Sequence, residues 1–391
     1  MIINRVFSLL LSICLMIVMG CSGNSGSGQS SASGNAMGAM TVRLVDSPTS
    51  AFQAINLDIQ QVQIHASAAA SESGWITLGS PNKVVNLLAL QGGVVETLAA
   101  GASLSAGTYQ QLRLVLGSRN GVVLGDGTTA DLKVPSGMQT GVKIPGSFTV
   151  LAGTTADIFI DFDAAHSIHI HEAGPSRSYI LRPVVQGFDK AVTGSISGTL
   201  TGTGGAALVG VDVYAERIDA GGSASIVRSV KTQTGGAYTL DLLPLGGSYF
   251  VVSLPTAGGV TYQAQASGAL ALSTSQPTRQ YSASFTPAIA TGGLAGTISP
   301  PATSAQLDSL LVLQAFPNGS GGQWWLAVAS LNVVGATPET YLVADLPVGL
   351  YTAVVVRSTL NADGTTTVAR SNVGAAVQVT AAVSAALNVT F

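Results

Sequence analysis

Apolar and polar residues alternate along most of this chain, in short runs stopped by Gly, Pro, Asn or Asp. The longest stretch of this kind runs from Leu104 to His171. Within it Leu112, Leu114 and Leu116 share one parity, and Ile158, Ile160 and Phe162 share another. A period of two places such residues on one face of a strand. The stops at Gly125-Asp126-Gly127 and Pro135-Ser136-Gly137 are turn chemistry. This part of the chain is predicted to be built of hairpins.

The same pattern extends in both directions. Thr41 to Val45 reads as a strand running into Asp46-Ser47-Pro48, and Ala54 to His65 alternates through Ile55, Leu57 and Ile59. Trp75 to Leu78 is a further strand after a Ser/Gly loop. Val84 to Gln91, apolar but for Asn86 and Gln91, reads as a short buried turn of helix, and Ser178 to Asp189 closes the region. Beyond it the chain repeats itself. Thr193 to Leu200 answers Thr291 to Ile298, and the stretch 235–254 answers 338–358. In each copy a Tyr (Tyr238, Tyr341) begins a strand, Leu-Pro-Leu-Gly or Leu-Pro-Val-Gly makes the turn, and a second Tyr (Tyr249, Tyr351) opens the return strand. Units of about a hundred residues suit sandwiches. The fold class expected is all-β, with three β-sandwich-like domains in tandem at residues 40–190, 192–287 and 291–391.

The N-terminus reads as an address. Arg5 precedes an apolar run from Val6 to Met19, the layout of a secretory signal over residues 1–20. The run ends at Val18-Met19-Gly20-Cys21, which resembles a bacterial lipobox. That resemblance implies cleavage before Cys21, its lipidation and a membrane partner held through the anchor. Residues 21–39, rich in Ser, Gly, Asn and Ala, read as a flexible tether. Ser after the cysteine implies, by the same resemblance, outer-membrane sorting if the cell is Gram-negative. The chain's two cysteines are Cys14, inside the signal, and Cys21, so no disulfide is expected in the mature protein.

Composition narrows the partners. Only 9% of residues are charged and the formal net charge is -3, which argues against a nucleic-acid partner. Past the N-terminus no apolar run of about 18 residues lacks a breaker, so no further spanning helix is expected.

Three clusters could carry chemistry. His166, His169 and His171 lie close in sequence. With Ile168 and Ile170 pointing inward, His169 and His171 would share an outer strand face. Zinc needs nitrogens at about 2.0–2.1 Å, and His166, Glu172 or the distant His65 could supply a third ligand. Asp157, Asp161 and Asp163 alternate on another strand, with Asp46 elsewhere in the same domain, a set of oxygens that suits calcium. Trp324 and Trp325, after the Asn318-Gly319-Ser320-Gly321-Gly322 loop, could form a platform for a glycan. Each cluster also has a plain structural reading, as a polar strand face, as solvated or turn aspartates, and as one core tryptophan beside a partly exposed one. No Gly-x-Ser-x-Gly elbow and no Walker-type phosphate loop occurs, and no enzyme is expected.

Two families are resembled. VRLVDSP, VNLLAL, AGTYQQLRLVLG, LKVPSGMQTGVKI, DFDAAHSI and YILRPVVQ follow one another in the order seen in the bacterial surface family called domain of unknown function 4382. That resemblance covers residues 40–190 and implies an exported β-sandwich, commonly lipid-anchored, with no established activity. Gly198, Val209 to Val213, Thr234 to Tyr238 and Leu243-Pro244 resemble the carboxypeptidase-regulatory-like, or transthyretin-like, sandwiches. The third unit is a divergent copy, with Pro338-Glu339-Thr340-Tyr341 in place of Gly-x-Tyr. These resemblances imply a non-enzymatic envelope or cell-surface protein with structural or adhesive modules. The alternatives are a carbohydrate-binding surface lipoprotein and a metal-binding envelope protein.

Overall fold

The computed structural model describes residues 36–391 except 47–51, 69–72, 91–93, 136–140, 163–166, 174–175, 219–221, 223, 304–305, 334–337 and 361–365. Its elements are almost all strands. The described residues add only four short 3-10 turns, one of them Leu87–Leu90, where Leu87 and Leu90 are buried as the apolar run there suggests. No helix among the described residues is long and apolar enough to cross a membrane.

The first sandwich packs a four-stranded sheet on a nine-stranded one. In the smaller sheet the order is Val185–Asp189, Thr155–Phe162, Met37–Asp46, Glu96–Ser105, and the two central strands are parallel. The larger sheet runs Ile168–Ala173, Ser176–Leu181, Thr129–Lys133, Gly121–Leu124, Phe52–His65, Gly107–Leu116, Val142–Val150. Ile76–Gly79 and Lys83–Asn86 add to the Phe52–His65 strand. Leu112, Leu114, Ile158, Ile160 and Phe162 all lie in the shared core, so the parity read from the sequence faces inward. The first strand starts at Met37 and so takes in the last three residues of the stretch read as tether. Gly38 explains the difference: a Cβ there would lie 2.3 Å from the Leu151 carbonyl oxygen, so smallness serves close approach rather than flexibility. The segment 178–189 also divides in two. Pro183 follows Ser176–Leu181, and the chain crosses to the other sheet as Val185–Asp189.

Two further sandwiches follow, and they repeat one topology. Ala237–Pro244, Thr193–Thr201, Thr278–Gln280 and Ala283–Ser284 form one sheet of the second; Glu339–Pro347, Thr291–Ser299, Ser384–Ala386 and Val389–Thr390 form its counterpart in the third. The facing sheets centre on Asp212–Ile218 with Ala224–Lys231 and Gly247–Ser253, and on Gln306–Pro317 with Gln323–Val333 and Gly349–Leu360. The duplication extends to single atoms. Tyr249 donates its hydroxyl to the Pro244 carbonyl at 2.6 Å, and Tyr351 donates to Pro347 at 2.9 Å. Tyr238 and Tyr341 donate to the carbonyls of Tyr281 and Leu387. Leu242 and Asp345 both take a φ of 58°, where each edge strand bulges before its Pro. A non-glycine held left-handed at matched places marks a shared constraint.

The sandwiches touch one another through buried surfaces. Val45 and Phe159 of the first form an apolar cluster with Leu242 of the second. Ala224, Phe250 and Val252 of the second join a core cluster with Leu326 and Val328 of the third. Leu311, Leu313, Ala327 and Val354, on the outer face of the third sandwich's larger sheet, are buried together with Ile226 of the second packed on them.

Candidate functional site

The structure distributes the residues singled out by sequence over three places. Cys21 and His166 lie outside the described residues. His169 and His171 sit on Ile168–Ala173, the edge strand of the nine-stranded sheet, opposite Ile180 and Ser178. Ile168 is in the core and Ile170 packs against it. Of His169 and His171, as of Asp46, only the backbone is described. His65 cannot join them. Four strand spacings, about 19 Å, separate their strands, and the His65 ring is held in its own loop, 2.9 Å from the Ser67 carbonyl and 3.0 Å from that of Ser73. Among the described residues no three His, Cys, Asp or Glu gather as a metal site would require.

The aspartates are tied to arginines. Asp157 accepts a 2.8 Å bond from Arg43, whose guanidinium also reaches the Thr97 hydroxyl. Asp161 pairs with Arg228 of the second sandwich at 2.7 Å. Each of these carboxylates is thus neutralised by an arginine. Asp163 lies outside the described residues, and of Asp46 only the backbone is described.

Trp324 and Trp325 are both half-buried and face opposite ways. Trp324 packs on the cluster containing Leu326 and Val328, its ring 5.7 Å from Phe250, while Trp325 packs on the Leu311 cluster. Both lie where the third sandwich meets the second.

Sequence reading missed three polar assemblies. On the outer face of the larger sheet of the first sandwich, Gln63, Arg113 and Lys143 stand in one row across three strands. Arg113 donates to the Gln63 side chain at 2.6 Å and lies over the Trp75 ring at 4.1 Å, and Trp75 in turn meets His65 at 5.2 Å. Such stacking is favourable for a guanidinium. Trp75 is the one aromatic residue in the Ser/Gly stretch before its strand, and that isolation is the only sequence signal for the assembly.

The second assembly is a knot around Asp58. Its side chain is buried, accepts bonds from the Arg119 guanidinium at 2.8 and 3.1 Å and from Gln60 at 2.7 Å, and lies so near Gly117 that a Cβ there would be 2.3 Å from it. The Arg119 bonds hold the Asp58 carboxyl below the usual carboxylate range, against the opposing effect of burial.

The third lies in the third sandwich, where Asp308 and Glu339 are fully buried about Arg357. Arg357 donates to both Asp308 oxygens, at 2.7 and 2.5 Å, and to the Pro300 carbonyl at 2.8 Å. Glu339 accepts from the Ala302 amide at 2.7 Å, and burial pushes its carboxyl upward. Asp308 bonds bidentately, whereas Glu339 stands 3.9 Å from the same guanidinium. The arrangement holds the 300–302 segment, the Glu339–Pro347 strand and the larger sheet together.

Concave surface is modest. An open cleft of about 340 Å³ lies between the Ile76–Gly79 strand and Glu96–Ser105, lined by Leu78, Ser80, Lys83 and Thr97 among others. Lys83 and Glu96 form an ion pair at its rim.

The geometry defines a tandem β-sandwich protein with buried polar contacts inside and between its modules. Residues 37–183 match the family described as "Domain of unknown function (DUF4382)". No curated protein matches the chain. Solved structures it is similar to include the Bacillus anthracis TIE protein, at 12% identity over 91% of this chain and 50% of that one, with a TM-score of 0.20. A streptococcal ancillary pilin is 11% identical over 90% of this chain and 99% of that one, TM-score 0.21. The major pilin SpaD of Corynebacterium diphtheriae is 11% identical over 48% of this chain and 66% of that one, TM-score 0.19. The chain thus spans half the length of the first of these.

Proposed function

We propose that this chain is a non-enzymatic envelope protein, tethered through lipidated Cys21, whose sandwiches serve as structural or adhesive modules at the cell surface. The observation that carries this reading is how its buried ionisable groups are used. Asp161 and Arg228 lock the first sandwich to the second, Glu216 bonds the second to the third, and Asp308 with Arg357 braces the third internally. Buried ionisable groups are costly unless bonded, and here their bonds hold successive modules in contact. A protein that transmits or resists tension between a membrane and an outside partner needs such joints. Fractionation of the native cell envelope tests the anchor: the wild-type chain is expected with the membranes and the Cys21→Ala chain in the soluble fraction. A Cys21→Ala chain that stays with the membranes would refute it.

A second reading rests on the spacing of His169 and His171 along one strand. The two residues are two apart on the strand Ile168–Ala173 at the sheet edge, and an i, i+2 histidine spacing on a strand suits one zinc ion. Metal analysis of the native protein against a His169→Ala/His171→Ala chain tests it, with equal metal content in both as the refuting result.

A further inference from the structure

We propose that the contact between the second and third sandwiches is a pH-sensitive joint, closed while Glu216 is a neutral acid and loosened when Glu216 ionises.

Glu216 lies on Asp212–Ile218 and is completely buried. One carboxyl oxygen accepts a 2.9 Å bond from the Ala327 amide across the joint. The other is buried without a hydrogen-bond partner. The surroundings are the Leu311, Leu313, Ala327 and Val354 cluster of the third sandwich, with Ile226 and Trp325 packed on it. Strand alternation puts Glu216 on the face of its sheet opposite Val213 and Ala215, which belong to the second sandwich's own core. An acid has thus been placed in a sheet-on-sheet contact that is otherwise apolar.

The charged and titratable groups around it are few. From its own strand come Tyr214, itself buried, and Asp212, which is paired with Lys231 at 2.8 Å. From Thr366–Arg370 comes Arg370, whose positive charge favours the ionised form. The apolar cluster residues and Ile226 do not titrate. Burial outweighs the Ala327 bond and Arg370, and pushes the Glu216 carboxyl up to about 8.

The consequence follows from the cost of a buried charge. A neutral carboxylic acid with one bond to Ala327 is tolerated between the sheets. A carboxylate with one oxygen unbonded must draw in water or part the sheets. Parting them would wet Leu311, Leu313 and Val354 and both joint tryptophans. The joint is tightest on the acid side, weakens as pH rises from the ordinary carboxyl value of 4.5 towards about 8, and loses nothing more from this group above that. This inference is independent of the lipid anchor.

The test follows the tryptophan emission of the full chain, together with binding of a hydrophobic dye, between pH 6 and 9.5. Wild-type protein is expected to show a red shift and rising dye binding as pH climbs towards about 8, levelling off above it and reversing on acidification. Glu216→Gln keeps an oxygen for the Ala327 amide but cannot ionise, and is expected to give flat signals. Arg370→Met removes the cation that favours the carboxylate, and is expected to carry the rise to higher pH before it levels off. A flat wild-type signal overturns the proposal, and so does an unchanged transition in Glu216→Gln. If Glu216→Gln fails to fold, an Arg370→Met signal that levels off at the same pH as wild type overturns it.

Discussion

Arg228 of the second sandwich reaches across to Asp161 of the first at 2.7 Å, with both side chains nearly withdrawn from water, at 7% and 11% exposed. Arg228 also donates to the Asp241 carbonyl at 3.1 Å, so one guanidinium bridges the Ala224–Lys231 strand, the Ala237–Pro244 strand and the neighbouring module. Breaking one half of a buried pair leaves the other charge stranded, which costs about 3–5 kcal/mol, whereas apolar replacement of both is often close to neutral. Asp161→Ala is therefore expected to lower the denaturation midpoint sharply. The pair Asp161→Leu/Arg228→Met is expected to recover most of that loss. Equal destabilisation of the single and double variants in urea titration would show that the pair is not what joins these modules.

Glycines at matched positions of the repeat make a second prediction. At Gly198 a Cβ would sit 1.7 Å from the Tyr281 carbonyl oxygen, and at Gly296 it would sit 1.8 Å from that of Leu387. These are backbone obstacles, which cannot swing away. Gly198→Ala and Gly296→Ala should each cost about 3 kcal/mol, the upper range for overpacking. Gly268→Ala, in open space and at an ordinary φ, is the control and should change little. Thermal unfolding of the three variants checks the contrast.

Asp58 sets an expectation on the acid side. Its carboxyl is held below the ordinary value by Arg119, so the unfolded chain binds the proton more readily than the folded one. Stability from this group is fully present above the unfolded value of 3.8 and is lost as pH falls through the lower folded value. Asp58→Asn should cost about 1.5–3 kcal/mol at pH 7, the range for hydrogen bonds to charged groups. At pH 2 the two proteins should lie closer together. Urea midpoints at both pH values test this; a gap that widens on acidification would contradict the assigned sign.

How far the sequence could be read depended on whether a strand is buried on one face or two. In Gly107–Leu116 alternate residues are apolar, so parity alone assigned Leu112, Leu114 and Leu116 to the core. The tyrosines and Leu-Pro turns of the repeat were equally plain, because Tyr249 and Tyr351 serve the same carbonyl in each copy. The joints were not plain. Asp161 looked like a member of an acidic strand face, since nothing local indicates that Arg228, far away in sequence, closes on it. Glu216 is locally one polar residue between Ala215 and Arg217, with nothing beside it in sequence to set it apart. Yet one signal of the joint was present: Leu310 to Leu313 and Ala353 to Val356 are apolar without alternation. Such runs mark strands covered on both faces. They implied a partner for the outer face of the third sandwich before any geometry was known.

That double burial leads to the last prediction. Leu311, Leu313 and Val354 lie on the outer face of the third sandwich and are at most 5% exposed, with Ile226 of the second packed against them. Released from the second sandwich, residues 291–391 would present these side chains to water as one contiguous apolar patch. Patches of that kind drive association in isolated domains. Residues 291–391 expressed alone are therefore expected to bind hydrophobic dye and self-associate in analytical ultracentrifugation, while residues 192–391 remain monomeric and dye-silent. Leu311→Lys/Leu313→Lys should restore solubility to the short fragment and destabilise the long one, because the same face is surface in the first and interior in the second. A short fragment that is monomeric and dye-silent without these changes would mean that the two sandwiches meet only loosely and that the shared core contributes nothing to holding them together.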